Sequence, residues 1–291
     1  MASSLSSKRI LKQHFGRNKG LKLPTVGTVL LPILSAQNRY LLLQMVKREI
    51  VAKYKNSALG LFWAVLLPLV MLAVYSFVFQ GVFKARWPGQ EIDADFALNV
   101  FAGLILFTFF SDTVGRAPGL ISEQPNLVKK VVFPIELLAA VSVLNTLFYA
   151  SISLVVLVMG VLVFKQQLGL QILMLFPLMV IFALLLLGLT LLLSAVGVYF
   201  QDLKHIVGMV ITPLLFLSPV FYPVKAVPDS VQLLMYLNPL TIMIEQVREV
   251  VIGAGRIDFG LLGIYSIVTA VVFLVGFTLF KSLKRGFSDV L

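Results

Sequence analysis

From position 59 to position 83 the chain reads LGLFWAVLLPLVMLAVYSFVFQGVF, 25 residues without a charged side chain. A helix of that length crosses the roughly 30 Å hydrocarbon layer of a bilayer with some tilt. Five more apolar segments follow, at 96–111, 137–164, 168–199, 206–222 and 259–280; those at 96–111 and 206–222 are short for a span. A soluble core built from the same helices fails on area. At a mean hydropathy of +0.98 over 291 residues, its interior is too small to hide the apolar surface. The expected fold class is an all-α membrane protein with six transmembrane helices.

Ahead of the first span, residues 39–58 are basic and amphipathic. Leu42, Leu43, Val46, Ile50 and Tyr54 recur at spacings of three and four on one helical face, with Gln44, Arg48, Ala52 and Lys55 on the other. Such a helix lies in the headgroup layer, apolar side down and cations toward anionic lipid. Residues 1–38 are a polar, basic lead-in. Within it, 22–37 imitates a signal peptide, but Pro24 and Pro32 interrupt the apolar part and cleavage would strand the following cations on the outer face. It reads as a membrane-touching approach to the interfacial helix. The remainder, 59–291, is a single six-span domain.

Charge sets the orientation. Of the 24 Lys and Arg, 18 fall in segments that a cytoplasmic N-terminus puts on the inner side and 6 in outer segments, so the chain is expected to run N-in, C-in. The formal charge of +11 does not mark a nucleic-acid protein, because the cations sit in short stretches beside apolar spans and build no basic domain. Cysteine is absent, which removes disulfides, thiol nucleophiles and thiolate metal sites. His14 and His205 lie far apart, neither with a second ligand at metal spacing, so no metal site is expected. The outer loop at 84–95 carries Trp87 as an interfacial anchor, and Glu91, Asp93 and Asp95 as a solvated acidic surface.

Two connectors carry further signals. The inner loop at 115–134, GRAPGLISEQPNLVKKVVFP, breaks the preceding helix at Pro118 and Gly119. Residues 120–124 can form a short helix that Pro125 stops, and Asn126 can cap a further turn toward Lys129 and Lys130. Periodicity leaves two readings open: a solvated connector whose lysines only enforce topology, or a short helix lying across the inner surface as a docking element. The outer region at 218–255 holds two short apolar helices. One begins near Asp229 and ends by Leu237; the other has Asn238 as cap, Pro239 in its first turn and Gly253 as terminator. The second, at about 14 residues or roughly 21 Å, is too short to span, so the pair is expected to be re-entrant. Glu245, Arg248 and Glu249 are placed to pair locally. In the long hairpin of 137–164 and 168–199, Pro177 is expected to kink the second helix.

The middles of the six spans hold no Asp, Glu, Lys, Arg or His, the residues that ion-coupled carriers keep at membrane depth. Residues 255–260 have the glycine spacing of a Walker A loop, but Leu261 and Leu262 stand where Lys and Ser or Thr are required. Asp112, Glu123 and Glu136 offer no catalytic constellation for a membrane enzyme acting on lipid-linked sugars. Uphill transport by such a chain would draw its energy from another polypeptide.

From Arg39 onward a series of short motifs occurs in order: Lys53-Tyr54-Lys55 with Ser57, Leu59-Gly60, Trp63 and Pro68; Asn126-Leu127-Val128-Lys129-Lys130 with Phe133-Pro134; Tyr199-Phe200-Gln201-Asp202; Ser218-Pro219-Val220-Phe221-Tyr222; and Asn238-Pro239. Together they resemble the Wzm-type permease subunit of polysaccharide ABC exporters, the O-antigen family whose relatives export capsule and teichoic acid. Gln201 departs from that pattern, at a position often basic in the family.

The resemblance implies a homodimer in the bacterial inner membrane, bound to two copies of a cytoplasmic ABC ATPase subunit that carries ATP and Mg. This chain would hold no cofactor and catalyse no reaction. The implied cargo is a polysaccharide, O-antigen above all, on an undecaprenyl-diphosphate carrier, moved from cytoplasm to periplasm through a continuous channel. Export of capsule or teichoic acid is the alternative. The resemblance favours docking for the inner loop, with Leu120, Glu123, Asn126, Leu127, Lys129, Lys130 and Asp202 as coupling residues. It makes the outer pair gate helices, with Pro219, Asn238, Pro239, Glu245 and Arg248. Sugar rings slide over aromatic faces without ionic traps, so Phe62, Tyr75 and Phe79 of the first span and Phe216, Phe221 and Tyr222 of the fifth are channel candidates, while most other aromatics pack or face lipid. Lys47, Arg48, Lys53 and Lys55 are candidates to meet the lipid diphosphate, against the alternative of ordinary anionic headgroups.

Overall fold

The computed structural model describes residues 36–55, 57–83, 94–129, 133–165, 169–253 and 256–291, and no strand occurs among them. The lead-in at 1–35, the acidic loop with Trp87, Glu91 and Asp93, Lys130, and the hairpin turn at 166–168 lie outside the described residues. In chain order the helices are α1 (Ala36–Tyr54), α2 (Trp63–Ser76), α3 (Ala94–Arg116), α4 (Pro125–Val128), α5 (Glu136–Lys165), α6 (Leu175–Tyr199), α7 (Leu203–Leu217), α8 (Asp229–Tyr236), α9 (Pro239–Val251), α10 (Phe259–Leu283) and α11 (Phe287–Val290).

Five helical stretches among the described residues are long and apolar enough to cross a membrane: Gly60–Phe79, Phe96–Gly119, Glu136–Lys165, Leu170–Tyr199 and Phe259–Val290. The apolar run at 206–222 behaves differently. Its helix, α7, has 15 residues and ends at Ser218, which is extended. A residue before proline is pushed out of the helical region, and Pro219 follows. The run therefore divides into a helix of about 22 Å and a turn in which the Val220 N–H donates to the Ser218 carbonyl at 2.7 Å.

Two features inside helical stretches bear on expected ends. Pro177 is the eighth residue of the stretch that begins at Leu170, which passes from 3-10 to α geometry at Leu175, two residues before it. In the inner loop, a 3-10 turn at Ala117–Gly119 leads into a non-helical stretch, and α4 starts at Pro125 with Gln124 in the capping position, not Asn126. Proline's fixed φ suits that first helical position.

Helix α3 is the centre of the bundle, packing against α2, α5, α6, α7 and α9. Leu98, Phe101, Ala102, Ile105, Leu106 and Phe109 are buried in the main core, and Phe109 meets Phe182 of α6 edge-on at 5.5 Å. Helices α6 and α10 meet backbone to backbone. A Cβ on Gly188 would lie 2.6 Å from the Cα of Phe273, and one on Gly276 would strike the Gly188 carbonyl. Small residues allow this close approach in membrane helices, where packing replaces the hydrophobic drive. By contrast α2, α7 and α10 leave Leu67, Val70, Met209, Val210, Ile267 and Val271 exposed, as surfaces facing lipid or a partner do.

Helix α1 runs alongside α5. Leu42 is buried against Leu137, Ala140 and Val141, with Met45 and Val46 beside it; further along, Glu49 meets Asn145 and Lys53 meets Tyr149. Leu43 is not on the packed face. It is exposed, and Met45 and Glu49 turn inward instead. Protein covers part of the stripe that the periodicity marked.

Candidate functional site

Among the described residues the charged side chains pair in two separate groups, one around Glu49, Glu123 and Glu136 and one around Arg248. At the cation-rich end, Lys284 after α10 donates to both carboxylate oxygens of Glu136 at 2.9 Å, and the Tyr199 hydroxyl donates to the Leu283 carbonyl at 3.0 Å. These contacts tie the end of α10 to the start of α5 and the end of α6. Glu49 accepts from Asn145 Nδ2 at 3.1 Å and stands 3.9 Å from Arg116 at the end of α3.

The loop between α3 and α5 lies on this same end. Leu120, Ile121 and Val128 are buried with Leu138, Val198 and Phe280. Leu120, expected among the coupling residues, therefore fastens the loop to the core. Glu123, Asn126 and Lys129 are exposed and Leu127 is half-buried. Lys204 of α7 donates to Glu123 at 2.7 Å, and Asp202 is exposed in the turn just before. An ion pair this open contributes little stability, but it sets the loop beside α7. Of the four candidate lipid-binding cations, Lys47, Arg48 and Lys55 are exposed. Lys53 stands 4.1 Å from the Tyr149 ring centroid, a cation–π distance.

At the opposite end the outer-gate candidates form one connected set. Asn238 caps α9, its Oδ1 accepting from the Leu240 N–H at 3.0 Å, while its Nδ2 donates to Ser218 Oγ at 2.8 Å. Pro239 takes the first helical position and its carbonyl accepts from the Tyr265 hydroxyl at 2.9 Å. Arg248 donates through Nη1 to the Pro219 carbonyl at 2.6 Å and lies 3.4 Å from Glu245. Burial pushes the Glu245 carboxyl above the usual range, with the Arg248 charge pulling the other way. Lys165, at the end of α5, donates to the Ile252 carbonyl at 2.8 Å.

The aromatic channel candidates form two groups on helices that both flank α3. On the α2 side Phe62 is exposed, while Tyr75 and Phe79 are half-buried with their rings 6.4 Å apart, and Phe79 reaches Phe96 at 4.9 Å. Beyond α7, Phe216 and Phe221 stack at 5.9 Å and the Tyr222 hydroxyl donates to the Phe216 carbonyl at 2.7 Å. Among the described residues no group of three or more His, Cys, Asp or Glu is arranged to hold a metal.

Residues 40–252 match the family model described as ABC-2 type transporter. This chain belongs to that family. It is similar to the O-antigen export system permease protein RfbA of Myxococcus xanthus, at 30% identity over 256 residues, 87% of this chain and 96% of the relative. The same-named protein of Klebsiella pneumoniae is 23% identical over 255 residues, 86% of this chain and 95% of the relative. The polysialic acid transport protein KpsM of Escherichia coli is 27% identical over 244 residues, 82% of this chain and 92% of the relative. In this ABC-2 protein the matched region takes in Glu49, Glu123, Glu136, Lys204, Asn238 and Arg248 and ends before Tyr265 and Lys284. Several residues in the two groups are not singled out by motif: Asn99, Arg116, Asn145 and Tyr149. A signal for two of them exists. Asn145 and Tyr149 are polar groups four apart in an apolar helix, and Glu49 and Lys53 repeat that spacing on α1.

Proposed function

We propose that this chain is the membrane-spanning permease of an ATP-driven exporter. It moves undecaprenyl-diphosphate-linked polysaccharide, O-antigen above all, from cytoplasm to periplasm through a channel built by two copies in the bacterial inner membrane. The observation that carries this reading is the nearly end-to-end similarity to permeases named for O-antigen export. Two ATPase subunits, which hold the ATP and Mg, dock on the cation-rich end at Glu123, Asn126, Leu127, Lys129, Lys130 and Asp202. That end faces the cytoplasm, as its excess of Lys and Arg favours. The chain then crosses six times, with α7 and the turn after it as a short fifth crossing and α8 and α9 as the re-entrant outer pair.

The lack of Asp, Glu, Lys, Arg and His in the middles of the apolar segments supports a passage without fixed ions, in which a neutral glycan meets many weak contacts and no strong trap. Phe62, Tyr75, Phe79, Phe216, Phe221 and Tyr222 supply those contacts. Lys47, Arg48 and Lys55 meet the carrier diphosphate. A capsule-type polymer is a second cargo, favoured by the similarity to a polysialic acid transport protein. The test is co-expression with the ATPase encoded beside it in strains lacking their own O-antigen or capsule exporter, scoring surface glycan and ATP turnover. Export that requires both chains is the expected result. ATP hydrolysis by this chain alone, or export driven by a proton gradient without ATP, sinks the reading.

A further inference from the structure

Among the described residues of the outer end, Arg248 carries the most enclosed charge, its residue 5% exposed. Its nitrogens reach backbone oxygens from two distant parts of the chain: Nε donates to the Asn99 carbonyl of α3 at 3.0 Å, Nη1 to Pro219 at 2.6 Å and Nη2 to Val220 at 2.7 Å. The helix beneath is cut away to admit it. A Cβ on Gly103 would lie 2.9 Å from Arg248 Nη2 and 3.1 Å from the Val220 Cα. A second bond, from Asn238 to Ser218, joins the same turn to the start of α9. The turn is thus pinned to α3 and α9 at both its ends.

The residues just beyond it are held differently. Phe221 and Tyr222 are half-buried, Phe221 stacked on Phe216 and packed against the core, Tyr222 bonded to the Phe216 carbonyl, and α8 leaves Leu233 and Leu234 exposed. Pulling the Pro219 and Val220 carbonyls away from Arg248 would take two hydrogen bonds from a buried cation. A half-satisfied buried charge is far more costly than a fully bonded one.

We propose that Arg248 is the positioning residue of the exit. It fastens the 218–220 turn, α3 and α9 into one frame that stays intact through the transport cycle, and the exit widens by movement of Phe221, Tyr222 and α8 around that frame. The proposal rests on the export reading above.

Since the chain has no cysteine, introduced cysteines report without background. The pair Ser218→Cys with Asn238→Cys replaces a side-chain contact with a disulfide across the frame. Export by the oxidised pair, in complex with the ATPase, is expected to equal export after reduction; a block relieved by reduction would overturn the rigid frame. Arg248→Met is expected to lower export by about tenfold or more, with Arg248→Lys recovering part of it, while ATP turnover persists. Wild-type export by Arg248→Met would overturn the positioning role. A third arm needs no export. Val220→Cys, at a buried position, should resist a membrane-impermeant maleimide in the parent and label readily beside Arg248→Met; equal labelling in both counts against the frame. If the unmodified complex exports no glycan, the proposed function fails, and labelling still decides the frame.

Discussion

Lys53 Nζ stands 4.1 Å from the centre of the Tyr149 ring, one helical turn beyond the hydrogen bond from Asn145 to Glu49. The basic arm is therefore joined to α5 by two polar contacts four residues apart on both helices, above the apolar seat of Leu42. Tyr149→Phe keeps the ring face and should leave stability nearly unchanged. Tyr149→Leu should cost about 0.5–1 kcal/mol. Thermal unfolding in detergent checks the order, and equal losses for Phe and Leu would rule out the cation–π contact.

Asn238 serves two helices at once, capping α9 and bonding Ser218. Asn238→Ala should cost about 1–2 kcal/mol through loss of the cap alone. Asn238→Asp keeps the acceptor for the Leu240 N–H but brings no donor for Ser218, so it should fall between the parent and Ala. Denaturant titration of the three proteins gives the ranking.

The docking loop separates into residues that hold it and residues that it presents. Leu120 is 5% exposed, so Leu120→Ala should destabilise the fold by about 2–5 kcal/mol. Lys129 is exposed, so Lys129→Glu should move stability by no more than about 0.5 kcal/mol yet reduce copurification of the ATPase. The effect should be larger with Lys130→Glu added. Unchanged copurification with a folded permease would remove Lys129 from the docking surface.

The pair of Glu136 and Lys284 is two-thirds or more buried on both sides, with side-chain exposures of 20% and 31%. Removing one partner leaves the other desolvated, so Lys284→Met should destabilise by roughly 1–3 kcal/mol. The double variant Glu136→Leu with Lys284→Met should recover much of the loss. A double-mutant cycle measured by unfolding reads this directly, and strict additivity would mean the two side chains act independently.

The sequence made the long apolar helices legible because an uncharged run of 20 or more residues has few physical alternatives, and the outer helix α9 because Asn238 and Pro239 are strong start signals. Hydropathy did not place the helix end at Ser218, where a helix-stopping pair lies inside an apolar run. Nor did the stripe on α1 say which of its residues would meet another helix: Leu42 does, while Leu43 stays exposed. The bonds of Arg248 had no signal of their own. Its acceptors are main-chain carbonyls, which every residue carries, so only the folded turn shows which of them converge.

Where Gly188 of α6 lies on Gly276 of α10, no side chain stands in the seam to change rotamer and let one helix slip past the other. The two helices form a stiff strut. No such lock is found on the exposed faces of α2 and α7 among the described residues.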